Sequence, residues 1–183
     1  VQPILATPRY ARALRAVAEL LSKLRLDSAF VGAVARSAYL GSPLPSGPGN
    51  PSIDVVALMT SEQKNHVAMM ASNRGFRVER EEIEASEELD LVPLNFVDPE
   101  GDVRVHVLVG SNALYGRMVK EGVPAQAGEL TIKVPAIEDF ALLAGMASDQ
   151  EALHNLTAAS GFDRSRYNRK LVSLGLAGMV IPE

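Results

Sequence analysis

The nine residues from Asp102 to Gly110, DVRVHVLVG, constrain this chain more than any other stretch. In an extended backbone successive side chains point to opposite faces. Val103, Val105, Val107 and Val109 therefore share one face, and Asp102, Arg104 and His106 share the other. The valine face predicts burial, and the strand as a whole reads as half-buried. Just upstream, LVPLNFV is a second strand-like run, and the turn residues DPEG join the two. That arrangement predicts an antiparallel hairpin.

A second strand, SIDVVALM at 52–59, carries polar residues at its entrance. Ser52, Asp54 and Val56 point one way, and Ile53, Val55 and Ala57 the other. It follows GSPLPSGPGNP at 41–51, whose four prolines and three glycines forbid regular structure. A loop of that length is either a lid over a site or a plain mobile connection. Near the start, Thr7-Pro8 supplies a cap and a first-turn proline. Leu14, Val17, Leu20, Leu21 and Leu24 then recur at helical spacing, predicting a helix over 8–25. SAFVG at 28–32 predicts a short strand ending at Gly32, and AVARSAYL at 33–40 a short helix. Backbone amides at that helix start can face an anion.

TSEQ at 60–63 has the spacing of a capping box, with Val67, Met69 and Met70 as the inward side of its helix. FRVERE at 76–81 predicts another strand, and the acidic stretch 81–90 a solvated connection. A helix over 111–122 started by Ser111, a hairpin over 123–135, and three helices near 137–147, 149–159 and 163–174 complete the order. Asp149 and Asp163 are the expected caps of the last two. The order predicts a mixed α/β (α+β) chain with a sheet of five or six strands, a core over 1–135, and a helical segment over 136–183 packed on it.

The 183 residues carry a net charge of −4, which argues against broad nucleic-acid binding. Arg164, Arg166, Arg169 and Lys170 form a local basic run, expected to be a solvated face. With no cysteine there is no disulfide, thiol nucleophile or thiolate metal site, which fits a reducing cytoplasm. No run reaches membrane-span length.

In the order of its motifs the chain resembles the nucleotidyltransferase fold, in particular small bacterial members related to the AbiEii toxins and the minimal nucleotidyltransferases. FVGAVARSAYL stands where that family has its glycine motif, NPSIDVVALM where it has an Asp-x-Asp strand, and DVRVHVLVG where it has a strand with a third acid. VPAIEDFALLAGMASDQEALHNL is similar to the family's helical segment after the sheet. The resemblance implies nucleotide contacts from Gly32, Ala33, Arg36, Ser37 and Arg104. It implies that the three acids hold magnesium ions and a nucleoside triphosphate in an active member.

Here the first acid position is Ser52, the second Asp54 and the third His106. A hydroxyl is a weak ligand, and imidazole suits zinc or copper better than magnesium. The glycine motif is altered at Ala33, and EDFALLAG lacks the family's lysine. Asp149 matches the acid of the later Arg-Asp pair, but Ser148 replaces the arginine. The expectation is a degenerate nucleotidyltransferase-like protein that binds a nucleotide or a partner. Asp54 would be its remnant acid, and the metal ligand only if a metal binds. The alternative is an active, toxin-like, metal-dependent enzyme moving a nucleoside monophosphate onto RNA, protein or a small hydroxylated acceptor. It would need acids from Glu81, Glu84, Glu87, Glu88 or Asp90. A third reading is a surface-acting protein partner or homodimer, tied to the apolar end LVSLGLAGMVIPE, which is otherwise expected to pack on the body. In structural terms, Asp54 is expected to bond loop amides near Gly47 to Asn50. Arg104 is expected to pair with Asp54 or Asp102, and Met69, Met70, Leu142 and Leu143 to be core.

Overall fold

The computed structural model describes residues 1–44, 52–78 and 90–176. Its first helix, α1 (Pro8–Lys23), begins as the sequence predicts: Pro8 is in the first turn and the Thr7 hydroxyl accepts from the Tyr10 N–H. Leu14, Val17, Leu20 and Leu21 are fully buried along one stripe. There follow β1 (Ser28–Phe30), α2 (Gly32–Leu40), β2 (Ile53–Ala57), α3 (Gln63–Ser72), β3 (Phe76–Arg77), β4 (Leu91–Phe96) and β5 (Val103–Val109). The order closes with α4 (Ala113–Lys120), the hairpin β6 (Val123–Ala127) and β7 (Leu130–Val134), then α5 (Ile137–Met146), α6 (Gln150–Ala158) and α7 (Arg164–Ser173).

Five strands make one mixed sheet in the order β1-β2-β5-β4-β3, and β6 and β7 pair as a separate two-stranded ladder. Among the described strands of this sheet only β2 and β5 run parallel. They sit side by side in the middle of the sheet, although 45 residues separate Ala57 from Val103 in the sequence count. Val103, Val105, Val107 and Val109 are at most 2% exposed, each worth roughly 2 kcal/mol of burial. On the other face Arg104 is exposed and His106 half-buried, as the alternation requires.

The β4–β5 hairpin turns at Asp98, whose carbonyl accepts from Gly101 N–H and whose carboxylate accepts from Glu100 N–H. Arg12 of α1 grips the same carboxylate with two hydrogen bonds, at 2.7 and 2.9 Å. The turn is thereby fastened to the first helix. The Arg12 bonds, then the Glu100 N–H, hold the Asp98 carboxyl down to about 2.

Several expectations need correction. Met69 is 57% exposed, so it is not core, while Val67 is buried. The α3 turn brings Met69 to the outer side once Val67, Ala68 and Ala71 face inward. Only half of the capping box forms: Gln63 Oε1 accepts from Thr60 N–H, and the helix starts after Glu62. Asn112, not Ser111, caps α4, accepting from Tyr115 N–H. Leu143 is half-buried rather than core. Asp149 and Asp163 cap α6 and α7 as expected. The proposed strand over 76–81 is seen at Phe76–Arg77, and its end lies outside the described residues. So do most of the 41–51 loop, nearly all of 81–90 and the end of the C-terminal tail. No helix among the described residues is long and apolar enough to cross a membrane.

The C-terminal helices are joined to the rest by buried charge. Asp139 of α5 is fully buried and binds Arg117 of α4 at 3.0 Å and Lys170 of α7 at 2.6 Å. Lys170, only 7% exposed, also reaches Glu121 at 3.0 Å. Arg166 binds the same Glu121 oxygen at 3.0 Å. The basic run is therefore not a simple solvated face, since Lys170 turns inward to meet buried Asp139 and Arg166 pairs with Glu121 at the surface. Burial works to raise the Glu121 carboxyl, but the hydrogen bonds from Lys170 and Arg166 outweigh it and hold it below the usual range.

Candidate functional site

The register of the two central strands sets Asp54 directly beside His106. Asp54 Oδ1 accepts from Ser52 Oγ at 2.6 Å and lies 2.9 Å from His106 Nδ1. An ionised carboxylate only accepts, so Nδ1 carries the proton and Nε2 is turned away from Asp54. Both side chains remain partly open, 26% exposed for Asp54 and 31% for His106. Ser52 and Arg104 each immediately precede the paired residues Ile53 and Val105. Ser52, Asp54 and His106, which stand where the resemblance implies three acids, thus form one hydrogen-bonded cluster. The loop amides near Gly47 to Asn50 lie outside the described residues; among the described residues the partners of Asp54 are the Ser52 and His106 side chains.

The chain crosses from β1 into α2 against this cluster. Val31 N–H donates to the Asp54 carbonyl at 2.8 Å, and Gly32 follows with φ +57°. A methyl group on Gly32 would lie 2.6 Å from Asp54 Oδ2, closer than any side-chain carbon can sit. Glycine is needed here twice over, for its left-handed backbone and for this close approach. Among the described residues no side chain caps α2, so none of them takes up its first amides in a cap.

From Gly32 a cleft of about 760 Å3 runs between α2 and the C-terminal helices. Gly32, Ala33 and Arg36 form one wall; Phe140 and Leu143 of α5 and Asp149 before α6 form the other. Arg36 spans it, with its guanidinium 3.5 Å from Asp149 Oδ2. Of the nucleotide contacts the resemblance implies, Gly32, Ala33 and Arg36 line the cleft. Ser37 points inward instead: it is 1% exposed, and its hydroxyl has no hydrogen-bond partner among the described residues. Arg104 stands apart on the open sheet face. It pairs with neither Asp54 nor Asp102, because Asp102 is taken by Arg77 at 2.9 Å. The cleft wall from α5 is not legible from motif order, because Phe140 and Leu143 look like ordinary core residues in sequence. Tyr39 stacks on Phe140 and donates its hydroxyl to the Pro135 carbonyl at 2.6 Å. Burial, then the nearby Glu138 and Asp139 charges, pushes that phenol far above its usual value.

No protein-family model matches the sequence, and no curated protein matches it. The comparison that succeeds is with solved structures. The solution structure of the antibiotic-resistance factor ANT(2'')-Ia superposes with a TM-score of 0.54 at 13% identity, covering 92% of this chain and 90% of that one. The crystal structure of ANT(2'')-Ia in complex with adenylyl-2''-tobramycin gives 0.53 at 13% identity, covering 91% and 97%. The fold is nucleotidyltransferase-like. An antigenic nucleotidyltransferase-like protein from Paracoccidioides brasiliensis also aligns, with a TM-score of 0.49 at 12% identity over 96% of this chain and 90% of that one.

Against that fold, the donor set decides whether magnesium fits. Asp54 is the only carboxylate within β2 and β5. Its Oδ1 already receives two hydrogen bonds, and its Oδ2 is packed against Gly32. Asp90, a candidate second acid, lies at the far end of β5, where its carbonyl accepts from Val109 N–H and its carboxylate from Ser61. Among the described residues no three His, Asp or Glu side chains are placed to hold a metal ion. These donors do not fit a two-magnesium cage, which needs several hard oxygens in near-octahedral array.

Proposed function

We propose that this chain is a catalytically degenerate nucleotidyltransferase-like domain that binds a nucleotide. The observation that carries the reading is the Asp54 cluster: the one carboxylate of β2 and β5 is hydrogen-bonded by Ser52 and His106 at the strand positions where the resemblance implies paired acids. The cleft beside it supports a small ligand, since its volume falls in the range of about 300–1,000 Å3 typical of such sites. The start of α2 favours phosphate at the Gly32 end, and Phe140 and Leu143 offer an apolar surface for a base. The fold neighbour solved with an adenylylated ligand makes adenine nucleotides the first to try.

Isothermal calorimetry with ATP, CTP, GTP and UTP, with and without magnesium, tests binding. A parallel assay follows transfer of label from each α-labelled triphosphate to protein, RNA or small acceptors. Binding of at least one nucleotide without label transfer is the expected result. Label transfer that needs Asp54 would establish the active enzyme instead, with nucleoside triphosphate and a divalent metal as its cofactors. Glu81, Glu84, Glu87 and Glu88, the acids on which that alternative depends, lie outside the described residues.

A further inference from the structure

We infer that the sheet face carrying Arg104, Asp54 and His106 takes the phosphates of the bound nucleotide directly, with no bridging divalent cation. The inference rests on the nucleotide-binding reading above and adds the chemistry by which the phosphates are held.

The charge balance of the face carries it. A bridging metal is recruited by excess negative charge, but here the one carboxylate of the two strands is offset by Arg104 two residues before His106 on the same side of β5. Asp54 alone cannot hold a hard cation. Oδ1 is engaged at 2.6 and 2.9 Å, and Oδ2, beside Gly32, has no second carboxylate on β2 or β5 to share an ion with it. Giving Oδ1 to a metal would strand both the Ser52 hydroxyl and the His106 Nδ1–H.

The same groups suit an anion. Arg104 is exposed and makes no ion pair among the described residues, so its planar fork is free to bind phosphate in two-pronged fashion. Asp54 fixes the His106 ring through Nδ1, so Nε2 is turned away from Asp54 and donates to a phosphate oxygen only when the ring carries its second proton. Gly32 joins this face to the cleft, because the residue that lines the cleft end is the one packed on Asp54. A triphosphate running from Gly32 toward Arg104 therefore meets backbone amides first and a guanidinium last.

The test uses the full chain and calorimetric titration with ATP, GTP, CTP and UTP, once in excess EDTA and once in excess magnesium chloride. The expected result is a dissociation constant that changes by less than about twofold between the two conditions. Arg104→Gln is expected to weaken binding in EDTA about tenfold, the loss of one charge-assisted contact. Asp54→Asn keeps an acceptor for His106 Nδ1 while removing a like charge, and is expected to tighten binding a few-fold. Circular dichroism of each variant checks that it is folded, and the wild-type comparison needs no variant at all. Binding that appears only with magnesium, or that Asp54→Asn abolishes, overturns the inference and leaves the nucleotide-binding reading intact. Absence of binding by all four nucleotides in both conditions overturns that reading and the inference with it.

Discussion

Gly32→Ala is the sharpest probe of the contact between the cleft and the Asp54 cluster. Its cost follows from two structural facts. A φ of +57° is open to glycine but penalises an L side chain by about 1–2 kcal/mol. The new methyl would also stand 2.6 Å from Asp54 Oδ2, so the carboxylate must swing aside. Its bonds to Ser52 and His106 then break or lengthen. Both partners reach some solvent, so the net loss is that of a single charged hydrogen bond, about 1.5 kcal/mol. The expected total is about 3 kcal/mol, read from urea unfolding followed by circular dichroism. The decisive control is the double mutant. Asp54→Ala removes the atom that the methyl strikes, so Gly32→Ala should cost at least about 1 kcal/mol less in that background. A Gly32→Ala protein within about 0.5 kcal/mol of wild type, or strict additivity of the two changes, would refute the reasoning.

Two other outcomes follow from the ion pairs. Asp139→Ala leaves buried Lys170 with only its Glu121 contact and strips Arg117 of its carboxylate; it should cost about 3 kcal/mol and lower Tm by roughly 6–12 °C, with Lys170→Met recovering part of the loss in a thermal melt. Asp98 is held to about 2 against an ordinary 3.8, so the folded state favours its charged form. That contribution is whole above about pH 4 and disappears as pH falls through about 2. The stability gap between wild type and Asp98→Asn, measured by urea unfolding across that window, should narrow toward low pH, and a gap that stays constant would count against the Arg12–Asp98 bond as its source.

Much of the fold is legible in single segments. Thr7-Pro8 announces the start of α1, and the leucine spacing after it announces the buried stripe. The valines of β5 declare which face is inside, and DPEG declares the hairpin. Each signal is a relation between residues a few positions apart on one element, where backbone geometry dictates which side chains share a face. Met69 shows the limit even there. A ten-residue helix with little apolar contrast can rotate by one position, and packing against β3 and β4 chooses which methionine is left outside. The fate of Lys170 was hidden for a related reason. A cation in a basic run looks solvent-bound until Asp139 and Glu121, from two other elements, arrive around it.

The residues of the site could be named from the sequence; their relationship could not. Local periodicity put Asp54 and His106 each on a polar strand face, and motif order made both of interest. That they share one proton between adjacent strands depends on β2 and β5 being parallel neighbours at a particular register. That register is chosen by the whole core closing at once, including the crossover through α3, β3 and β4, and no short window encodes it. Gly32 and its contact with Asp54 belong to the same class. The sequence supplies a glycine after a strand, and only the assembled sheet brings a carboxylate so close that any larger residue must displace it.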